Sequence, residues 1–298
     1  MKCKLNKVLP AAAFLCIVLA SCKKNDQLTP ASPSQATIES LLLTASNTIT
    51  NGGNQQNEAI SDVMGSSVIM SGDSSDCRIA TFNPSRTVYP HLKTIDFGSG
   101  CLSPDGIMRS GKKLITVYAD WQIAPAGTLI SEETFSNFYV DSINVSGNVK
   151  IYIDTAASPG PLALKIVANK TFTDSKGNTS TFISTDYCLQ TAGNSTTTKA
   201  DNVYQVTGSA SGTEVLDGSL AVSWTSQIDP SNPVIKMGDC MYRSKGSLMI
   251  QLTLEGSSVF NEYLNYGDGA CDNNATLTIN GGTPQQVTLP LRFWPLSL

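Results

Sequence analysis

The sequence has few of the residues that most catalytic and nucleic-acid-binding sites require. It contains a single histidine, His91, which excludes zinc and iron sites built from several histidines and leaves little basis for a Ser-His-Asp triad. We expect His91 to occupy a surface or strand-edge position. Charged residues make up only 15% of the chain and no basic run occurs, which argues against nucleic acid as a partner.

Several short motifs are also missing. No Gly-x-x-x-x-Gly-Lys-Ser/Thr loop occurs, so a P-loop nucleotide site is not predicted, and no Gly-x-Ser-x-Gly elbow occurs, so an α/β-hydrolase nucleophile is not predicted either. The sequence therefore predicts no cofactor and no catalytic residues.

Serine, threonine, asparagine and glycine are plentiful, while long helix-forming residues are few. From Val68 onward, short runs of alternating apolar and polar residues are separated by Gly, Asn, Asp and Ser turns. This pattern predicts an all-β protein of antiparallel, β-sandwich-like units. Turns are expected at Ser110-Gly111, Asp174–Asn178, Gly208–Gly212 and Asn280–Gly282.

One short N-terminal helix precedes the predicted strands. Ile38, Leu41, Leu42 and Ala45 are spaced as on one helical face, which predicts a helix over Thr37 to Thr48 that ends at Asn51-Gly52-Gly53-Asn54. A second short helix is predicted over Glu58 to Met64.

An internal repeat organises the predicted strands. Ile95–Cys101 is echoed by Leu264–Cys271, and each copy combines an aromatic strand end, a Gly-x-Gly turn, a cysteine and an upstream second cysteine. The repeat predicts two related β units, with Asp229–Pro233 as the best boundary. The predicted divisions are a signal peptide (1–21), a flexible tether (22–35), the helix with the first β unit (36–228) and the C-terminal β unit (229–298).

The first residues predict export. Three lysines precede an apolar run from Val8 to Leu19, which is typical of a secretory signal peptide. The run closes on Leu19-Ala20-Ser21-Cys22, which resembles the lipobox of bacterial lipoproteins. That resemblance implies cleavage before Cys22 and acylation of its side chain and new N-terminus, and hence a membrane anchor. An ordinary signal peptide with a chance cysteine is the alternative.

Five of the eight cysteines remain once Cys3, Cys16 and Cys22 are set aside. Several pairings are possible in an oxidising envelope. The repeat favours Cys77–Cys101 and Cys240–Cys271, with reduced, buried thiols as the alternative. Cys188 is left as a free thiol, and no Cys-His signature surrounds it.

Carboxylates suggest two weaker sites. The loop around Asp268, Asp272 and Asn273 is rich in oxygen ligands and glycine, as calcium loops are, but it lacks the EF-hand spacing, so turn formation is the favoured interpretation and no metal is predicted. A glycosidase pair would have to be drawn from four scattered acids, namely Asp96, Asp105, Glu132 and Glu133.

Three tryptophans offer a similar choice. Exposed tryptophans could stack against sugar rings, whereas buried tryptophans would pack in the core, and the core position is the favoured interpretation. They are Trp121, Trp224 and Trp294.

The lipobox, Thr94–Cys101 with Asp105-Gly106 and Arg109–Lys112, and Tyr266–Asp272 together resemble a family of uncharacterised envelope lipoproteins of the Bacteroidota. The resemblance covers most of the mature chain and implies outer-membrane placement, facing the periplasm or the cell surface. It implies no activity and no catalytic residues.

Three functional hypotheses follow. The leading one is a lipid-anchored, non-catalytic β protein that binds a glycan or protein partner or has a structural role. The alternatives are a carboxylate-dependent glycan hydrolase and a calcium-stabilised adhesin module.

If Cys22 carries the anchor, Cys22→Ala will abolish acylation and move the protein from the membrane to the soluble fraction. Fractionation after a high-salt wash measures this shift. A mutant that still pellets with the membranes would contradict the anchor assignment.

Overall fold

The strands of this chain follow one another across one antiparallel sheet. The computed structural model describes residues 45, 48–49, 52–53, 58–60, 62–63, 77–103, 106–155, 161–193, 196, 199–216, 220–238, 240, 242–254 and 259–289. Besides the 3₁₀ turn Lys199–Asp201, the elements are β1 (Ile79–Asn83), β2 (His91–Asp96), β3 (Cys101–Leu102), β4 (Met108–Val117), β5 (Leu129–Val140), β6 (Ile143–Thr155), β7 (Ala163–Thr173), β8 (Thr179–Ala192), β9 (Val203–Leu216), β10 (Leu220–Ile228), β11 (Val234–Met237), β12 (Lys245–Leu254), β13 (Val259–Asp268), β14 (Asn274–Ile279) and β15 (Gln285–Thr288).

Neighbours in the sequence are neighbours in the sheet. The order runs from β1 to β15, with the short β3 beside β4, and with β11 bridging β9 and β12. The prediction of an antiparallel all-β protein is confirmed. The division into two sandwich-like units is not confirmed, because the described strands hydrogen-bond into one continuous sheet that crosses Asp229–Pro233 through the β10–β12 pairing.

The two faces of this sheet differ in burial. In β8, Phe182, Ser184 and Cys188 are buried, while Ile183 and Tyr187 between them point outward and are exposed. The same alternation recurs along β10 and β12, as expected for strands with one covered face. We call the covered side the inner face and the opposite side the outer face.

Helical residues from the N-terminal part of the chain pack on the inner face. Among the described residues of 45–63, all are helical, and Ala45, Ile49, Ala59 and Ile60 are buried in the core with the inward strand residues. The predicted helix end at Asn51–Asn54 is wrong, because Gly52 and the following glycine are helical. A Cβ on Gly52 would lie 2.5 Å from the Phe182 ring, so glycine permits close packing here instead of ending the helix.

A buried lysine joins this helical segment to the sheet. The Nζ of Lys113 in β4 lies 3.0 Å from Glu58 Oε1, 3.1 Å from Asp62 Oδ2 and 3.7 Å from Glu133 Oε1. Burial by itself would lower the pKa of Lys113, but the three carboxylates raise it above its usual value. The lysine is therefore charged, and its neighbours compensate its desolvation.

Two further basic residues of the inner face contact the same segment. Lys93 Nζ donates to the main-chain carbonyl of Asp62, and Arg109 Nε lies 3.6 Å from Glu58 Oε1. Glu58 consequently keeps a depressed pKa of about 2, because Lys113 and Arg109 outweigh the opposing effect of burial. The acidic residues of the helical segment thus meet a basic end of the inner face.

Two disulfides each close the open end of a hairpin. Cys77 precedes β1 and bonds to Cys101 after β2, while Cys240 precedes β12 and bonds to Cys271 after β13. These are the two pairings that the sequence repeat favours. They close loops of 24 and 31 residues, and on the chain-entropy argument each adds about 3.5 kcal/mol to stability.

The repeated stretch also has the same local geometry at both ends of the sheet. Gly98 N donates to Asp96 Oδ1 at 2.8 Å, and Gly267 N donates to Asn265 Oδ1 at 2.9 Å. The aromatic residue between each pair, Phe97 or Tyr266, is buried. Each copy is therefore an Asx turn that directs an aromatic ring into the core.

Some of the predicted turns are present in the structure and others are not. Asp174–Asn178 and Asn280–Gly282 are turns between neighbouring strands, as predicted. Ser110-Gly111 is not a turn. Strand β4 continues through it, and the register against β5 shifts there, so the glycine with its φ of 77° forms a bulge.

Lys113→Met is expected to destabilise the fold by about 3–5 kcal/mol, because it leaves the buried Glu133 and the partly buried Glu58 and Asp62 close together without the cation that they share. The neighbouring Lys112 is the matched control. It points to the outer face, its side chain is 49% exposed and it pairs with Asp96 at 2.8 Å, so Lys112→Met should cost less than about 1 kcal/mol. Urea unfolding measures both variants, and equal losses would contradict a structural role for the buried cluster.

Candidate functional site

Of the four acids considered for a glycosidase pair, the structure describes Asp96, Glu132 and Glu133. Asp96 pairs with Lys112, and Glu132 lies 3.5 Å from Lys150 Nζ on the outer face. Glu133 is on the inner face beside Lys113. Asp105 lies outside the described residues. Glu133 therefore lies on the opposite face from Glu132, and the register offsets Asp96 from Glu132 by four positions along the strands.

The calcium candidates take part in turns. Asp268 Oδ1 accepts from Ala270 N at 3.4 Å, and Asp272 Oδ1 accepts from Asn274 N at 2.9 Å. The main-chain carbonyl of Asn273 accepts from Leu289 N at 2.8 Å. Within the described part of the chain, no group of three or more His, Cys, Asp or Glu side chains is placed to hold a metal ion.

The reactive-residue candidates are buried. Cys188 is a free thiol, and burial, assisted by the charge of Asp186, raises its pKa to about 12, so the thiol stays protonated at neutral pH. His91 begins β2 beside the edge strand β1. Its side chain is buried, with Nδ1 2.9 Å from the Val88 carbonyl, so an exposed surface position is wrong.

The tryptophans are split between the core and its margin. Trp224 is buried in the core, and Trp121 is half-buried and packs against it. Trp294 lies outside the described residues, as does the lipidation candidate Cys22. The tryptophans that the structure describes are therefore not exposed stacking platforms.

Glu214 is a buried carboxyl on the inner face. Its Oε1 accepts from Thr48 Oγ1 at 2.9 Å and from Trp224 Nε1 at 3.2 Å, and its Oε2 accepts from Ser180 Oγ. Burial raises the pKa of Glu214 to about 7, although these hydrogen bonds oppose the shift. This carboxyl ties Thr48 of the helical segment to β8, β9 and β10.

The outer face carries a broad groove over the C-terminal half of the sheet. The groove has a volume of about 810 Å³, which lies in the range of small-molecule binding sites. It crosses β8, β9, β10, β12, β13 and β14, and strand neighbours are about 4.8 Å apart, so its length is about 24 Å.

Two cross-strand rows of side chains, in register, form the groove. Because paired residues share a face, each row is read directly from the strand register. The first row consists of Thr185, Ser209, Gln227, Met249, Tyr263 and Thr278. The second row consists of Ile183, Ser211, Thr225, Gln251 and Asn261.

Neither row contains a charged residue. The first row continues toward the N-terminus through Val167 to Lys150 and Glu132, which form an ion pair at 3.5 Å. Among the described residues that line the groove, Glu262 is the only Asp, Glu, Lys, Arg or His, and its side chain is buried on the inner face. The outer face therefore carries charge over β5 and β6, whereas the two rows of the groove are uncharged.

Several groove side chains are held in place by hydrogen bonds. Tyr263 Oη lies 2.7 Å from Ser247 Oγ and 3.4 Å from Asp229 Oδ2. Gln227 Nε2 donates to the Gly208 carbonyl at 2.9 Å, and Gln251 Nε2 donates to Asn261 Oδ1 at 3.3 Å. These bonds orient one aromatic ring and two amides before any ligand arrives.

Sequence reasoning missed this groove because it misassigned one stretch. Gly208–Gly212 was expected to be a turn, but it lies in the middle of β9 and supplies Ser209 and Ser211 to the two rows. A Cβ at Gly208 would lie 2.5 Å from the Thr185 carbonyl oxygen, and one at Gly212 would lie 2.0 Å from that of Thr181. The glycines allow β8 and β9 to approach closely. The sequence feature that could have revealed the groove was the lack of charge at the outward positions of successive strands.

The comparisons with known proteins add no relative. No family model, no curated protein and no solved structure matches this chain. Among the residues that the structure describes, no helix has both the length and the apolar character needed to cross a membrane.

Glu214 should make stability depend on pH. Its folded-state pKa of about 7 exceeds the ordinary 4.5. The stabilisation by the neutral carboxyl is therefore fully present below pH 4.5 and is lost as the pH rises through 7, by about 3 kcal/mol in total. Glu214→Gln should remove this loss, since the amide oxygen accepts from Thr48 and Trp224 while its nitrogen donates to Ser180.

The measurement is the free energy of unfolding of wild type and Glu214→Gln at pH 4.5 and pH 8. Contributions from other titrating groups cancel in the difference between the two proteins. The same pH dependence in both would contradict the assignment.

Proposed function

We propose that this protein is a lipid-anchored component of the cell envelope that binds a ligand in the outer-face groove without chemically changing it. The observation that carries the proposal is the groove itself, with its two in-register rows of uncharged hydrogen-bonding side chains. Its hydrogen-bonded Tyr263 and glutamines favour a site that is formed in advance.

The predicted localisation supports this role. A signal peptide of residues 1–21 with acylation at Cys22 would anchor the protein in a membrane, with the tether of residues 22–35 between anchor and sheet. The resemblance to envelope lipoproteins implies the outer membrane, facing the periplasm or the cell surface. Two disulfides are compatible with an oxidising compartment outside the cytoplasm. The membrane is then a partner through the lipid, and the groove is the surface for a second partner.

Binding without catalysis is favoured by the chemistry of the lining. General acid-base or nucleophilic catalysis needs a carboxylate, imidazole, thiolate or amine within reach of the substrate. The outward side chains of both rows are hydroxyls, amides, a phenol, a thioether and an aliphatic group. These groups orient a ligand well but supply no base near neutral pH.

The two related β units also remain a proposal. The hairpins β1–β2 and β12–β13 near opposite ends of the sheet have the same disulfide closure and the same Asx turn, which supports two related copies of one motif. We propose that the copies descend from one unit and that the groove strands β8, β9 and β10 lie between them.

A lysine placed in the groove tests the binding proposal. Thr225 lies in the middle of the second row, and Thr225→Lys puts a long charged side chain there. Thr116→Lys is the matched control, because Thr116 lies on the outer face of β4, in the charged half. Ligand-observed NMR with a mixture of neutral oligosaccharides and uncharged peptides reports binding by the full chain in detergent.

At least one probe class should bind wild type and Thr116→Lys, and Thr225→Lys should weaken that binding at least tenfold, about 1.4 kcal/mol. The bound probe should keep its mass after prolonged incubation. Binding that Thr225→Lys leaves unchanged would place the site elsewhere, and a cleaved probe would show that the protein is an enzyme.

A further inference from the structure

We propose that the ligand of the groove is an uncharged, linear oligosaccharide that lies across the strands, with its sugar rings against Tyr263, Met249 and Ile183. This inference rests on the proposed function, since it names the class of ligand for the same groove.

Charge is the first argument. The two rows offer no cation to an anionic ligand and no anion to a cationic one, whereas the chain carries 44 charged side chains in total, 20 basic and 24 acidic. A charged ligand lying along the rows would lose hydration without gaining an ion pair from them. The carboxylate of Asp229, beside the first row, already accepts hydrogen bonds from Ser231 and Tyr263. The absence of charge in the two rows therefore favours a ligand that is polar but uncharged.

Hydrogen-bonding capacity is the second argument. Serine, threonine, glutamine and asparagine each both donate and accept, and so does every hydroxyl of a neutral sugar. Eight such residues stand in the two rows, namely Thr185, Ser209, Gln227, Thr278, Ser211, Thr225, Gln251 and Asn261. Donors and acceptors mixed in this way match a ligand whose hydroxyls can rotate to fit either role.

Geometry is the third argument. Side chains within a row repeat at the strand spacing of about 4.8 Å, a spacing comparable with one sugar ring. The first row crosses six strands and the second row five, because the register is continuous from β8 to β14. A linear ligand laid along them meets a similar set of groups at each successive ring, so affinity should rise with chain length.

The apolar residues complete the fit. Tyr263 is paired across the strands with Met249, which is 42% exposed, and Ile183, at the other end of the groove, is 50% exposed. A sugar ring has an apolar C–H face that packs on aromatic and aliphatic groups. The hydroxyl bonds of Tyr263 to Ser247 and Asp229 hold its ring in one orientation.

An uncharged peptide is the competing macromolecular ligand, and the location of the groove disfavours it. Extended peptides bind sheets mainly by adding a strand at an edge, where main-chain groups are unpaired. The groove lies on the face of the sheet over strands that are paired on both sides, so the main chain of a peptide would find few partners there.

The test uses titration calorimetry on the full chain in detergent. The probes are cello-, malto-, xylo- and manno-oligosaccharides from disaccharide to hexasaccharide, oligogalacturonate as the charged equivalent, and an uncharged Ser/Gln peptide of similar length. At least one neutral series should bind with affinity that increases with length, and oligogalacturonate and the peptide should bind at least tenfold more weakly.

Variants assign the contacts. Tyr263→Ala should weaken sugar binding at least tenfold, whereas Tyr263→Phe keeps the ring and should stay within about threefold of wild type. Gln251→Ala, at an exposed position, should weaken binding severalfold and guards against loss of folding in Tyr263→Ala. Leu92→Ala, on the outer face of β2, is the control and should leave the affinity unchanged.

The outcomes separate the two proposals. If the peptide or oligogalacturonate binds in the groove and no neutral series does, the oligosaccharide assignment is wrong and the binding function stands. If no probe binds, or if binding is indifferent to Tyr263→Ala, Gln251→Ala and Thr225→Lys alike, both proposals fail. Sugar binding that Tyr263→Ala weakens and Tyr263→Phe preserves supports both.

Discussion

The structure depends on one buried ionic contact between the helical segment and the inner face of the sheet. Lys113 lies among Glu58, Asp62 and Glu133, and removing the lysine would leave these three carboxylates without the cation that they share. Farther along the same face, Thr48 contacts the buried carboxyl of Glu214. Polar contacts therefore fix the helical segment to the sheet at two places, and its apolar residues are buried in the core.

This arrangement explains why the outer face is available for binding. A wide sheet needs one face covered to bury a core, and here the helical segment and the inward residues supply that cover. The outer face can then vary without cost to the core. Over β5 and β6 it carries an exposed ion pair, and over β8 to β14 it carries neutral hydrogen-bonding groups. The groove therefore lies on strands that are each paired on both sides, which hold its side chains in register.

Much of this was accessible from the residues alone. The alternation of apolar residues and the Asp174–Asn178 and Asn280–Gly282 turns predict antiparallel strands, because both are local consequences of backbone geometry. Local reasoning failed at Gly52, Gly111 and the Gly208–Gly212 stretch. Each of these glycines was taken as punctuation, but a close neighbour or a bulge requires it. A glycine in a turn and a glycine at a close approach look the same in a sequence.

The sequence by itself determined the antiparallel β class and the scarcity of histidine, and it favoured the pairing of the repeated cysteines, since these follow from periodicity, composition and an internal repeat. Only the tertiary structure decided that the strands form one continuous sheet, that the helical segment covers its inner face, and that Thr185, Ser209, Gln227, Met249 and Tyr263 stand in one row. Strand register joins residues that are far apart in the chain. A shift of one residue would send every side chain to the opposite face.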